Sequence, residues 1–156
     1  MTGIVQVVST NFTTPFFTTA AGWQIVPGLA CAITPGAAGN RIILLAKISL
    51  ASDGESGVAF KFQRNGIDID VGTAAGTRTQ ATGAAFGTQF SVDSGMSVCE
   101  VFLDTPGSVL PQTYQVYIMR GASASASINK ASDNVDPDSP NFFRSTSNIV
   151  LMEFEP

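Results

Sequence analysis

Histidine is absent from the 156 residues. With it go the Ser/His/Asp and Cys/His nucleophile pairs, the H-E-x-x-H zinc helix and any imidazole proton shuttle. Charge is scarce as well, since Asp, Glu, Lys and Arg together make up 13% of the chain, about half the usual share of a globular domain. The 12 acidic residues outnumber the 8 basic ones, and the net charge of −4 leaves no basic field to hold a nucleic acid or an acidic membrane surface. No apolar run approaches the roughly 18 residues a membrane helix needs. The start Met1-Thr2-Gly3-Ile4 has no basic n-region of an export signal. Together these absences predict a protein made and folded in a cytoplasm, without a nucleic-acid or membrane partner.

Cysteine is sparse too. Cys31 shares its parity with Leu29 and Ile33, and Cys99 shares its parity with Val101 and Leu103. A reducing compartment, and a chain long enough to bury a core without staples, predict two buried free thiols. Neither has a basic neighbour in sequence that would make it nucleophilic.

What is plentiful is apolar residues, 44% of the chain, with 11 Phe and 15 Gly. This composition excludes disorder, and the length predicts a single domain over residues 1–156. Few windows hold apolar residues at helical spacing without Gly, Pro or a Thr/Ser cluster interrupting them, whereas strand alternation recurs throughout. Val58, Phe60 and Phe62 alternate with Ala59, Lys61 and Gln63; Asn65-Gly66 follows; Ile67, Ile69 and Val71 then alternate with Asp68 and Asp70. Asn-Gly accepts the positive φ angles of a type I′ turn, so the segment predicts a β-hairpin. Further strands are predicted over residues 4–8, 23–26, 29–33, 41–50, 97–103, 114–119, 123–128 and 149–154, separated by turn signals such as Pro27-Gly28, Pro35-Gly36 and Pro106-Gly107. About ten short strands predict an all-β fold, an antiparallel β-sandwich of the jelly-roll type. Residues 73–88 and 133–140 read as loops.

Two strands are apolar on both faces. Ile42 and Leu44 alternate with Ile43 and Leu45, and Tyr114, Val116 and Ile118 alternate with Tyr117 and Met119. A strand in a two-sheet sandwich has one face outward, so the second apolar face needs a cover, and a further copy of the chain is favoured over the chain's own loops.

Candidate chemistry is thin. Asp133, Asp136 and Asp138 with Asn134 and Asn141 are oxygen ligands in kind, but their spacing matches no EF-hand, so a solvated loop is expected. Asp68 and Asp70, two apart, are expected on one outward face. The Gly72–Gly76 and Gly83–Gly87 stretches lack the Lys-Ser/Thr and the helix of a phosphate loop. Trp23, Phe12, Phe16, Phe17, Phe142 and Phe143 concentrate aromatic surface in segments without a clear strand pattern, where packing under loops or between subunits is favoured over sugar stacking. No catalytic, cofactor or metal residue is assigned.

The order of segments is more specific than any one of them. Val5-Gln6-Val7 is followed by Gly28-Leu29, Ile33-Thr34-Pro35 and Asn40-Arg41-Ile42-Ile43-Leu44. Then come Gly76-Thr77-Arg78, Phe102-Leu103-Asp104-Thr105-Pro106, Thr113-Tyr114-Gln115-Val116, Ile128-Asn129 and Ser145-Thr146-Ser147-Asn148-Ile149-Val150. Nearly the whole chain resembles virion structural domains of tailed bacteriophages, found in tail fibres and particle decorations. Similar segments occur in the trimeric jelly rolls of tumour necrosis factor and complement-type heads. The resemblance implies a homotrimer in the virion that is not an enzyme and needs no cofactor. Its partners would be itself and the phage major capsid protein or another virion protein, and its role capsid decoration or cement, with a tail-fibre or head-fibre tip that binds a host receptor as the alternative. The residues expected in the trimer interface or the core are Ile42, Leu44, Tyr114, Val116, Tyr117, Val150, Met152 and Phe154. The first and last strands are expected side by side.

Overall fold

In the computed structural model, residues 3–52, 57–85, 95–122, 125–131, 138 and 142–156 are described. The regular elements among them are all strands: β1 Ile4–Phe12, β2 Phe16–Thr18, β3 Gln24–Ile33, β4 Arg41–Ala51, β5 Val58–Arg64, β6 Ile67–Ile69, β7 Gly83–Ala85, β8 Met96–Asp104, β9 Gln112–Arg120, β10 Ala126–Ile128 and β11 Ser147–Phe154. They form two antiparallel sheets packed as a sandwich. In the first, β11 lies between β1 and β4, β8 runs along the other side of β4, and the short pair β10-β2 extends the sheet from the end of β4. In the second the order is β3-β9-β5, with β6 and β7 sharing the far side of β5.

Alternation sets the faces. On β4, Ile42, Leu44, Ala46, Ile48 and Leu50 point inward and are buried, while Ile43 and Leu45 point out. Opposite them the second sheet contributes Val26, Leu29 and Cys31 from β3, Phe60 and Phe62 from β5, and Tyr114, Val116 and Ile118 from β9. The expected hairpin forms as the turn chemistry demands: Asn65 and Gly66 take φ angles of 49° and 84°. Asn65 also extends the ladder sideways, its Oδ1 accepting from the Thr113 N–H at 2.8 Å. The first and last strands do lie side by side, from Ile4↔Phe154 to Phe12↔Ser147.

Several local expectations are corrected. Residues 23–26 and 29–33 are parts of one strand, because Gly28 at φ 87° turns the Pro27-Gly28 signal into a bulge between Ile25 and Ala30 rather than a chain reversal. The loop expected over residues 73–88 contains β7, which pairs with β5. There Gly83 is required, since a Cβ would sit 2.6 Å from Cε1 of Phe60. Residues 16–18, without strand pattern in sequence, pair with β10. The strand expected over residues 67–71 stops at Ile69, and Asp70 turns away with φ 52°. Of residues 123–128, those from 126 form β10, and 123–124 lie outside the described residues.

A side-chain splice joins β11 to β10 along β4. After the Asn148↔Lys47 pair, the Ser49 N–H donates to Ser147 Oγ at 3.0 Å, and that hydroxyl donates to Asn129 Oδ1 at 2.7 Å. Asn129, fully buried at φ 61°, donates its backbone N–H to Ser49 O and its Nδ2 to Phe12 O. The break in the strand thus leaves these polar groups satisfied.

Candidate functional site

Register across the first sheet builds one continuous outer surface from four strands. Met152 on β11 stands between Val7 on β1 and Ile43 on β4, and Ile43 is opposite Leu103 on β8. The next rung runs Ser9, Val150, Leu45, Val101. Phe154 and Ile4 close one end, and Val7, Val101 and Leu103 are more than half exposed. The charges come only at the margins: Arg41 beside Phe154, and Lys47, whose Nζ donates to Thr146 Oγ1 at 3.1 Å. With strands ~4.8 Å apart and a rise of ~3.4 Å per residue, the apolar part covers about 300 to 350 Å². That is the size at which an apolar patch on a monomer often marks an interaction site.

The eight residues singled out from the sequence divide three ways. Ile42, Leu44, Tyr114 and Val116 are fully buried core. Val150, Met152 and Phe154 meet on the outer face just described, half-buried. Tyr117 is half-buried on the outer side of the other sheet, away from them.

Parity on β8 is the opposite of the expected one. Val98, Glu100 and Phe102 are the half-buried positions, while Cys99, Val101 and Leu103 face outward, so Cys99 is exposed and Cys31 alone is a buried thiol, its pKa raised by that burial. Both cysteines are free. The outward set was missed because each parity of β8 holds apolar residues, and the only sequence signal for it is Glu100 and Asp104 interrupting the other. Of the aromatic group, Phe12 is core, Phe16 and Phe17 form β2, Trp23 and Phe142 are half-buried and Phe143 is exposed. Asp138 is exposed, and the remainder of the candidate calcium loop lies outside the described residues.

Asp68 and Asp70 do not share a face. Asp68 lies on the outer side of β6, where Lys61 and Gln63 donate to it and hold its carboxyl below the ordinary range. Lys61 Nζ in turn sits 4.8 Å from the Trp23 ring centroid and 5.9 Å from that of Tyr117, so its positive charge faces two aromatic rings and one carboxylate. Asp70 is pushed the other way, by burial and then by nearby Glu100.

Two polar clusters are built around buried carboxylates, one joining the two sheets and one tying the β3–β4 connection to the first sheet. Asp104 at the end of β8 accepts from the Arg64 guanidinium with both oxygens and from the Tyr114 hydroxyl at 2.7 Å. Burial, and then the hydrogen bond to Asp104, raise the Tyr114 pKa far above that of a free phenol. Glu153 on β11 is fully buried and has no ion-pair partner among the described residues. Its carboxylate accepts from Asn40 Nδ2 at 2.6 Å, the Gly36 N–H at 2.7 Å and Gln6 Nε2 at 2.5 Å. Burial alone would raise its pKa, but the donors from Asn40, Gln6 and Gly36 together outweigh that and hold it below the ordinary value. Both clusters are saturated by their own partners, which suits structure rather than proton transfer. Among the described residues no group of three His, Cys, Asp or Glu side chains is placed to hold a metal ion.

What fold and surface define together is an all-β, two-sheet antiparallel sandwich with an uncharged four-stranded face. Compared with known proteins, the chain matches no protein-family model and no curated sequence.

Proposed function

We propose that this protein is a virion structural component that decorates and cements a bacteriophage capsid as a homotrimer. The observation that carries the reading is the outer face of the first sheet, where Val7, Ile43, Leu45, Val101, Leu103, Val150 and Met152 adjoin without a charge among them. About 300 to 350 Å² is less than half of the ~800 Å² each partner gives to a standard interface, so the patch serves as the apolar centre of a larger contact with Arg41, Lys47, Asn11 and Asn148 in its rim. The strand order supports the jelly-roll reading: β1-β11-β4-β8 against β3-β9-β5-β6 is a wrapped pair of sheets, and six of the ten connections between successive described strands cross from one sheet to the other.

Light scattering of the purified chain tests self-association. A trimer is expected, and L103D or V101D, each adding a charge at an exposed position, should yield a monomer that still melts cooperatively but at a lower temperature, because the contacts made only in the trimer are lost. A stable monomer of the parent chain would remove both the trimer and the cement reading, because weak contacts to a lattice need multiplicity. Particles lacking the protein should release DNA at a lower temperature than complete ones, since contacts made only in the assembled state stabilise it. Unchanged release with lost adsorption to cells would replace cementing with the fibre-tip role, for which the Trp23 and Tyr117 rings on the second sheet offer contact surface.

A further inference from the structure

The outer side of the second sheet carries a cleft of about 370 Å³, within the size range of small-ligand pockets. Ala59 on β5 stands between Ala84 on β7 and Met119 on β9 in one rung, and the two short side chains leave the hollow that Met119 borders. Arg78 and Thr79 line it from the connection before β7, and Arg120 lines it at the end of β9.

Among the described residues neither arginine here has an acidic partner. Lys61 and Arg64 each pair with an aspartate. Arg120 is instead held by the backbone oxygens of Thr19, Gly121 and Ala122, which fix its position without neutralising it. Arg78 has no side-chain partner among the described residues. In a chain of net charge −4, two guanidiniums without an acidic partner among the described residues, beside one apolar cleft, make a local positive site on an acidic molecule. A guanidinium presents a planar fork of donors that matches a carboxylate with two parallel hydrogen bonds. Thioether and methyl groups suit an aliphatic body.

We propose that this cleft binds a small ligand with an aliphatic body and a carboxylate, the body lying on Ala59, Ala84 and Met119 and the carboxylate on Arg78, with Arg120 adding field at the rim. The ligand class is shared by free short-chain carboxylic acids and by the C-terminus of a peptide. The site is independent of the self-association reading, because it lies on the sheet face opposite the uncharged one and stays open when that one is covered.

The test is a titration of the full chain, labelled at the methionine methyl groups and followed by NMR, with the Met119 signal assigned by M119L. The probes are hexanoate, hexanamide, and N-acetyl-Ala-Leu with a free or an amidated C-terminus. Hexanoate should shift the Met119 signal saturably and leave Met152 on the other sheet unmoved. Hexanamide should bind about tenfold more weakly or worse, and R78Q should weaken hexanoate by a similar factor while leaving hexanamide unchanged. A84L, at an exposed position, fills the floor and should abolish binding of both, with the Met152 signal and the melting temperature reporting an intact fold. Tighter binding of the acid peptide than of hexanoate assigns the site to a chain terminus, and the reverse order to a free acid. No shift at Met119, equal affinity for acid and amide, or indifference to R78Q would each overturn the proposal.

Discussion

Replacing Glu153 with Gln should destabilise the sandwich by about 3 to 5 kcal/mol at neutral pH and remove part of its acid sensitivity. The magnitude follows from the hydrogen bonds. Glu153 Oε1 accepts from the Gly36 N–H and Asn40 Nδ2, and Oε2 accepts from Gln6 Nε2, which also donates to Thr34 O at 2.7 Å. A glutamine in the same volume keeps its carbonyl for Gly36 and Asn40, so its amide nitrogen meets the Gln6 nitrogen, donor against donor. Turning the Gln6 amide over repairs that contact but sets its oxygen against Thr34 O. Two charge-assisted bonds then become neutral ones, losing roughly 1 kcal/mol each, and one buried donor or acceptor goes unmatched at about 1 to 3 kcal/mol. For a chain of 156 residues this corresponds to a melting temperature lowered by about 6 to 20 °C. The pH dependence has a definite sign. The folded-state pKa lies below the ordinary value of 4.5, so the carboxylate's contribution is fully present above that value and is lost as the pH falls through the folded pKa. Thermal melts of parent and E153Q at pH 7, 5, 4 and 3 should therefore show a gap that is constant between pH 7 and 5 and narrows below about 4.5. Taking the difference cancels the part of the acid transition that Asp68, also depressed, contributes to both proteins. A variant that melts with the parent at pH 7, or a gap as wide at pH 3 as at pH 7, would refute the reasoning.

Removing Asp104 as D104A should cost about 3 to 5 kcal/mol in urea unfolding, because it strands the Arg64 charge and the Tyr114 hydroxyl. Y114F, which leaves the ion pair whole, should cost only about 1 to 2 kcal/mol. G83V should lower the melting temperature by several degrees, since a Cβ 2.6 Å from the Phe60 ring forces β7 off β5. Deleting residues 151–156 removes Leu151 and Glu153 and half of the strand between β1 and β4, so cooperative melting should disappear; a truncated chain melting near the parent temperature would contradict the role of β11.

Local chemistry alone determined the class of fold. Period-two alternation on β5 separates the apolar Phe60 and Phe62 from Lys61 and Gln63 without any knowledge of partners, whereas β4 and β9, apolar on both faces, show strands but not which face turns inward; Asn65-Gly66 specifies its own turn because the φ angles it needs are a property of two residues. Pairing decided the rest. Alternation says that β8 has two faces but not which one turns inward, since Val98 and Phe102 are as apolar as Val101 and Leu103. The core took the set that carries Asp104, because Arg64 and Tyr114, 40 and 10 residues away, satisfy that carboxylate there. No local signal in the sequence says that Glu153 is buried; it is buried because Gln6, Gly36 and Asn40, more than 110 residues earlier, aim their donors at it. The three-residue strands β2 and β7 have too few positions to show a period, and exist only because β10 and β5 offer an open edge. The uncharged outer face is of the same kind: its residues come from four strands spread over almost the whole chain, and only their register makes one surface of them. A polar group's burial and a surface's continuity depend on what stands opposite, which a single strand's sequence does not contain.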